Sequence, residues 1–296
     1  MTYPKTVVIT GGTSGLGLIT ARHLASAGNA VVVVGRDRAR AEAAVAGFPA
    51  RTTTGAPTIP PRTYVADLSR MSRVREVAER MSADGLSIDV LINNAGAAFP
   101  RYEETEDGLE RAYAINHHAP FLLTHSLIGL GALEADARVV NLSTFVEKRG
   151  RLDRTAPEVT GTSWRRRYSQ LHVYATSKLA SLLATSELAQ RLPAGMSIYS
   201  ANPGMVRDTS INRSAGGLMR WTAPLFKPFA ITPAEGIRTV VHLAEATPAP
   251  EPSGGYFSES RPAMPSRQAQ DPLLARAVYA RTAALLGVEP LVAVAG

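Results

Sequence analysis

Apolar positions in this chain follow two alternating patterns. Short β-branched runs at 6–9, 30–34, 63–66, 88–92, 138–142 and 196–200 predict strands, and 255–257 predicts a seventh. Ala30-Val31-Val32-Val33-Val34 is apolar at every position, as a parallel strand covered on both faces must be. Between the runs the spacing becomes helical. It predicts helices over 15–27 (Leu16, Ile19, Ala21 and Leu24 inward), 37–46, 69–81, 168–192, 232–245 and 271–287, with two more spanning 103–133. Asp37 and Ser69 read as N-caps, and Thr232-Pro233-Ala234-Glu235 as a capping box with Pro at the first helical position. Glu103, Glu104, Glu106 and Asp107 read as an acidic helix start. The stretch 52–61, with three Pro and a Gly, is a loop. No internal repeat and no linker divides the chain. Repeated strand–helix alternation predicts one α/β domain over 1–296. Its core is a Rossmann-type, doubly wound sheet of about seven mainly parallel strands with helices on both faces.

Composition removes several classes. With 45% hydrophobic and 19% charged residues among 296, the chain is neither a disordered tail nor collagen. It has no Cys, which excludes disulfides, thiolate nucleophiles and Cys-bound zinc, and agrees with a cytoplasmic location. No apolar run reaches membrane-spanning length, and Val7-Val8-Ile9 is too short for a signal-peptide core. The net charge is 32 − 25 = +7. Only four of the basic residues are Lys (Lys5, Lys148, Lys178, Lys227), and the Arg are scattered. That bias points to GC-rich coding rather than to a nucleic-acid or membrane face. The one local cluster, Lys148, Arg149, Arg151, Arg154 and Arg165-Arg166-Arg167, reads as a solvated loop. The six His make no metal pattern: His117 and His118 are adjacent and so expected to point apart on a helix.

Thr10-Gly11-Gly12-Thr13-Ser14-Gly15-Leu16-Gly17 joins the first strand to the first helix. Glycines there let the backbone turn sharply and approach a pyrophosphate at the helix N-terminus. Arg36 ends the second strand, 19 residues after Gly17. An acidic residue there would bind a ribose 2′-hydroxyl, whereas an Arg accommodates a 2′-phosphate and so favours NADP(H) over NAD(H).

The Gly-rich turn, Asp67 after the third strand, Asn93-Asn94-Ala95-Gly96 after the fourth and Tyr174-Ala175-Thr176-Ser177-Lys178 together resemble the short-chain dehydrogenase/reductase family. Further stretches, 114–124, 174–192 and Asn202-Pro203-Gly204-Met205-Val206, look most like its retinol-dehydrogenase branch. That branch often carries a membrane-anchoring N-terminal segment; here the first strand begins almost at once, which implies a soluble form. The resemblance implies cofactor contacts at Gly11, Thr13, Ser14, Gly15, Leu16, Gly17, Arg36, Asp67, Leu68, Asn94, Ala95, Gly96, Pro203, Gly204, Val206 and Thr209, besides Tyr174 and Lys178. It also implies a homodimer or homotetramer built on paired long helices.

Residue chemistry supports a redox reading. Hydride addition to a carbonyl leaves charge on oxygen, so a proton must arrive. Tyr174 and Lys178 stand at i and i+4 on one helix face, and an ammonium there would favour the phenolate of a Tyr whose ordinary pKa is about 10. Tyr174 is the general acid or base, and by resemblance Lys178 also holds the nicotinamide ribose and Asn116 props a water linking Lys178 to solvent. The hydroxyl that orients the carbonyl falls at Thr144, with Ser143 as the alternative. The Thr expected near the cofactor falls at Asp208, with Thr209 next to it. These departures keep a non-redox alternative open: dehydration, isomerisation or cyclisation on the same fold. A binding protein without turnover is a third reading, against which intact Tyr174, Lys178 and Asn116 argue. Residues 207–231 are apolar and partly aromatic and read as a lid over a small-molecule substrate with a hydrophobic body. The extended loop 145–168 reads as another wall. No metal, nucleic-acid or membrane partner is expected.

Overall fold

The computed structural model describes residues 4–206 and 231–292. The β-branched runs form one eight-stranded sheet: β1 (Thr6–Thr10), β2 (Ala30–Gly35), β3 (Arg62–Val65), β4 (Ile88–Asn93), β5 (Leu133–Leu142), β6 (Ser197–Asn202), β7 (Tyr256–Ser258) and β8 (Arg261–Pro262). Their order is β3-β2-β1-β4-β5-β6-β7-β8, and every neighbouring pair is parallel except β7 with β8. The helices are α1 (Gly15–Ser26), α2 (Arg38–Ala46), α3 (Met71–Ala83), α4 (Arg111–Tyr113), α5 (Ala119–Gly129), α6 (Gln170–Ala189), α7 (Pro233–Gly236), α8 (Arg238–Glu245) and α9 (Pro272–Leu286).

Side chains alternate across a strand. Val8 therefore joins the core beneath α3, α5, α6 and α9, while Val7 and Ile9 join the core beneath α1 and α8. In β2, Val32 and Val34 serve the first layer and Val31 and Val33 the second, which is why that run is apolar throughout. Each such side chain stabilises by roughly 1.5–3 kcal/mol. The order of strands reverses between β1 and β4, so the connections after these two strands diverge and leave a crevice at their carboxyl ends.

Several expectations are corrected. The acidic stretch from Glu103 does not open a helix. Residues 103–110 form a loop, and Glu110 is the N-cap of α4, its carboxylate accepting from Ala112 N at 2.8 Å and Tyr113 N at 3.0 Å. Asp107 caps α3 instead, accepting from Met71 N at 2.9 Å. Ser69 is not that helix's cap, because it donates to Asp67 Oδ1 through both its amide, at 3.0 Å, and its hydroxyl, at 2.7 Å. A π-helical turn, Ala114–His118, joins α4 to α5. The wider turn brings the His117 and His118 rings to 4.7 Å between centroids rather than apart. Leu16 and Ile19 are only half-buried on α1, since Gly17 and Thr20 take the innermost positions. The capping box at Thr232 forms as expected, but the helix breaks at Gly236, where a Cβ would lie 2.5 Å from Val206 Cγ2. β5 starts at Leu133, five residues before the expected 138, because Leu133 pairs with Ile88 across a bulge. Asp37 caps α2, as read from the sequence.

The Arg cluster is a loop with local partners. Arg154 pairs with Asp271 at 2.5 Å and Arg165 with Glu104. Exposed, solvent-screened pairs of this kind stabilise far less than the valines of β2. Among the described residues no helix is long and apolar enough to cross a membrane.

Candidate active site

The Gly-rich turn and the Asn94-Ala95-Gly96 segment meet at the carboxyl ends of β1 and β4. Asn94 Nδ2 donates to Thr10 O at 2.8 Å and to Gly11 O at 3.3 Å, and Ala95 N donates to the Thr10 hydroxyl at 3.1 Å. Gly11 has φ +67°, and a Cβ there would lie 3.0 Å from Ala95 Cα. A Cβ on Gly17 would lie 2.3 Å from Asn94 Nδ2. These glycines let two backbone segments touch. Gly15 differs: at φ +54° it has no atom within 4 Å of a built Cβ, so open space borders the start of α1. Ser14 gives that helix no side-chain cap, and its first turn holds no acidic residue. The free amide dipoles and the open space suit a pyrophosphate.

Arg36 follows β2 and is exposed. Its neighbour Arg38 pairs with Glu42 at 3.8 Å, whereas Arg36 has no ion-pair partner among the described residues. Thr13 lies against the end of β2, its methyl 2.6 Å from where a Gly35 Cβ would be. This leaves a small-residue floor between the glycine turn and Arg36, and the residues fit a dinucleotide. Asp67 and Leu68 stand at the end of β3, with Asp67 exposed and Leu68 half-buried.

A second group converges below Gly96. A Cβ on Gly96 would lie 3.3 Å from Asn116 Oδ1 and 3.4 Å from Lys178 Nζ. The π-helical turn turns Asn116 inward. Its Oδ1 accepts from Ala97 N at 2.9 Å, and its Nδ2 donates to Ala97 O at 2.8 Å and to Ser177 Oγ at 3.0 Å. Ser177 in turn donates to Tyr174 O at 2.9 Å. Sequence reasoning had no view of this Asn116–Ser177 brace, although Ser177 stands between Tyr174 and Lys178 in the motif itself. Pro203, Gly204 and Val206 follow β6; Val206 pairs with Ile231 and meets Leu16 across Gly236. Asp208, Thr209 and the lid up to 230 lie outside the described residues.

Tyr174, Lys178, Ser143 and Thr144 are all buried. Thr144 Oγ1 accepts from Val146 N at 3.2 Å, and the Thr144 side chain is close enough to the Tyr174 phenol to offset part of the rise that burial causes. Ser143 Oγ is buried with no partner among the described residues. Of the two side chains, Thr144 is the one that acts on the phenol. Burial pushes Tyr174 up to about 12, countered by Thr144. The Lys178 ammonium, one helical turn from Tyr174, donates to Leu142 O at 2.6 Å. A backbone acceptor of this kind leaves no trace in a side-chain pattern.

Burial also brings Lys178 down from 10.5 to about 8. The unfolded chain keeps that proton up to its ordinary pKa, whereas the folded chain releases it near 8. In the window between them the unfolded state binds more protons, so stability rises with pH. Relative to Lys178→Met, wild-type unfolding free energy is expected to gain about 3 kcal/mol between pH 8 and 10.5. Urea unfolding at a series of pH values measures this, and a pH-independent difference would contradict the burial of a charged amine.

Among the described residues no group of three or more His, Cys, Asp or Glu could hold a metal. His117 Nε2 lies 2.8 Å from the Thr282 hydroxyl and His118 Nε2 2.8 Å from Val159 O, so both imidazoles are engaged in packing.

The family model described as short chain dehydrogenase matches residues 5–156. Retinol dehydrogenase 12 of Bos taurus is 36% identical over 287 residues, covering 97% of this chain and 87% of that protein. The crystal structure of an uncharacterized protein from Mycobacterium Paratuberculosis is 32% identical with a TM-score of 0.74, over 96% of this chain and 94% of that one. A short-chain dehydrogenase from Sphingobium yanoikuyae in complex with NADPH is 25% identical with a TM-score of 0.60, over 81% and 84% of the two chains. Both the matched positions and the geometry at the β1–β4 crevice place this chain in the short-chain dehydrogenase/reductase family, among its retinol-dehydrogenase-like oxidoreductases of alcohols and carbonyls.

Proposed function

We propose that this chain is an NADP(H)-dependent oxidoreductase acting between a carbonyl and an alcohol on a bulky apolar substrate, in the cytoplasm. The observation that carries the reading is the meeting of Tyr174 and Thr144 in one buried site with Lys178, Asn116 and Gly96, below the glycine turn. When bound, the nicotinamide exchanges a hydride with the substrate carbon.

The residues of the chain do the rest. Thr144 Oγ1 and the Tyr174 hydroxyl orient the substrate oxygen. Tyr174, at about 12, is protonated at neutral pH and delivers its proton to that oxygen in reduction. In oxidation the same phenol must first lose a proton, so oxidation speeds up as pH rises. Lys178, at about 8, is an ammonium at neutral pH and is held in place by Leu142 O. Within reach of Gly96 it is placed to hold the nicotinamide ribose. Asn116 fixes the segment after Gly96 and the helix turn carrying Tyr174.

Arg36 supports the choice of a 2′-phosphorylated cofactor, being exposed beside the turn at the end of β2. The NADPH complex of the Sphingobium yanoikuyae relative points the same way. Arg36→Ala is expected to raise the KM for NADPH about 10-fold to 100-fold, the worth of one or two charge-assisted hydrogen bonds, and to leave that for NADH within about twofold. Equal changes for both cofactors in steady-state assays would remove Arg36 from the 2′-phosphate site.

The apolar substrate rests on the composition of the lid sequence and on Phe99, Trp164 and Tyr168, which pack together beside Val173, the residue preceding Tyr174. Retinol dehydrogenase 12 of Bos taurus bears the name of such an alcohol. Oxidation of NADPH in the presence of apolar aldehydes and ketones tests the reading; conversion without net cofactor oxidation would favour non-redox chemistry.

A further inference from the structure

Thr144 stands at the head of a 3-10 turn, Phe145–Arg149, whose third residue is Glu147. Glu147 is fully buried, at 0% exposure. It has no ion-pair partner among the described residues. A buried carboxylate without a cation persists only when hydrogen bonds replace its water. Here they come from one residue far along the chain: Ser266 donates through its amide to Oε1 at 2.7 Å and through its hydroxyl to Oε2 at 2.6 Å. The turn is closed by Glu147 N to Thr144 O at 3.3 Å and by Gly150 N to Glu147 O at 2.8 Å. Gly150 then lies against α6, where a Cβ would stand 2.7 Å from Ala175 O, the residue next to Tyr174. Leu152 is tied to the same C-terminal segment, its carbonyl accepting from Gln268 Nε2 at 2.8 Å.

We propose that Glu147 is a positioning residue, which fixes the Thr144 hydroxyl against Tyr174 by anchoring the turn behind it to Ser266. The proposal rests on the reading of Thr144 as the hydroxyl that orients the substrate. Thr144 Oγ1 accepts from Val146 N at 3.2 Å, and the same side chain acts on the Tyr174 phenol. Its rotamer is set by the path of the turn, and the only buried side chain of that turn is Glu147. Without the anchor, the turn loses its long-range tether and Thr144 loses the geometry that aims it at the phenol. Among the described residues the carboxylate hydrogen-bonds to Ser266 alone, so it acts through the turn that carries Thr144.

A mutant cycle tests this. Glu147→Ala is expected to lower kcat for NADPH-dependent carbonyl reduction about 10-fold to 100-fold, the cost of a displacement of about 1 Å, with the Kd for NADPH unchanged. In a Thr144→Ala background the same substitution is expected to change kcat less than about twofold, because the residue it positions is gone. Glu147→Gln keeps one acceptor for the Ser266 amide and is expected to restore most of the turnover. Hydrogen exchange over 143–150 supplies a readout without turnover: Glu147→Ala should expose the Val146 amide while β1 and β4 keep their protection. Equal loss of kcat in both backgrounds, or unchanged exchange at Val146, overturns the proposal. Should Glu147→Ala fail to fold, Ser266→Ala decides, and unchanged kcat with unchanged exchange overturns it. If wild type reduces no carbonyl yet the exchange result holds, the functional reading falls and the anchoring of the turn stands.

Discussion

Tyr174→Phe is expected to lower turnover about 1000-fold while the affinity for NADPH stays within about twofold. The substitution removes one oxygen and keeps the ring, so the packing of α6 is preserved. What is lost is the phenol proton, which Tyr174 holds at neutral pH beside Thr144. Ser143 cannot replace it, because its hydroxyl makes no contact with the phenol and lacks any partner among the described residues. Wild-type reduction should hold level through neutral pH, where a phenol at about 12 stays protonated. Turnover and cofactor fluorescence titration of the variant check both halves. Retained turnover would remove Tyr174 as the acid, and lost NADPH binding would show that the residue shapes the cofactor site instead.

The second large effect is expected at the glycine turn. Gly17→Ala places a Cβ 2.3 Å from Asn94 Nδ2 and 2.5 Å from Gly11 O, both inside contact distance. Either Asn94 leaves Thr10 O, or the turn is pushed from β4. The first costs about 1–3 kcal/mol for an unpaired carbonyl and the second about 1–3 kcal/mol for overpacking. In both cases the pyrophosphate cradle opens, and NADPH affinity should fall at least about 100-fold. Gly15→Ala is the contrasting variant: no atom lies within 4 Å of its Cβ, so only the left-handed backbone at φ +54° is strained. That costs about 1–2 kcal/mol. Thermal unfolding and NADPH titration separate the two variants. Equal stability of Gly17→Ala and wild type would contradict the close approach of the two segments.

Much of the fold was legible because burial on both faces leaves a plain signature. β1 buries Val7, Val8 and Ile9 and β2 buries Val31 to Val34, and the runs at 6–9 and 30–34 supply those apolar side chains. β8 was not legible: it is two exposed residues, Arg261 and Pro262, on the sheet edge. The start of α4 was misread since acidic residues at 103–107 satisfy partners elsewhere, Asp107 at Met71 N and Glu103 at Arg111. Nor does side-chain spacing encode a π-helical turn, so the pairing of His117 with His118 could not be foreseen. At the site, the glycine turn, Asn94, Tyr174 and Lys178 stood out because their chemistry needs those residue types. The meeting of Asn116 with Ser177, and of Lys178 with a main-chain carbonyl, depends on tertiary placement alone. Position in the motif favours Thr144 over Ser143, and Thr144 is the side chain that counters the upward shift of the Tyr174 phenol.

A crystal structure of the protein with NADP+ and an apolar alcohol bound addresses these assignments together. The expected result has the alcohol oxygen within hydrogen-bond distance of both the Tyr174 hydroxyl and Thr144 Oγ1, with the 2′-phosphate against Arg36. An alcohol oxygen held by Ser143 or by no hydroxyl of this group, or a dinucleotide bound away from the glycine turn, would contradict the account.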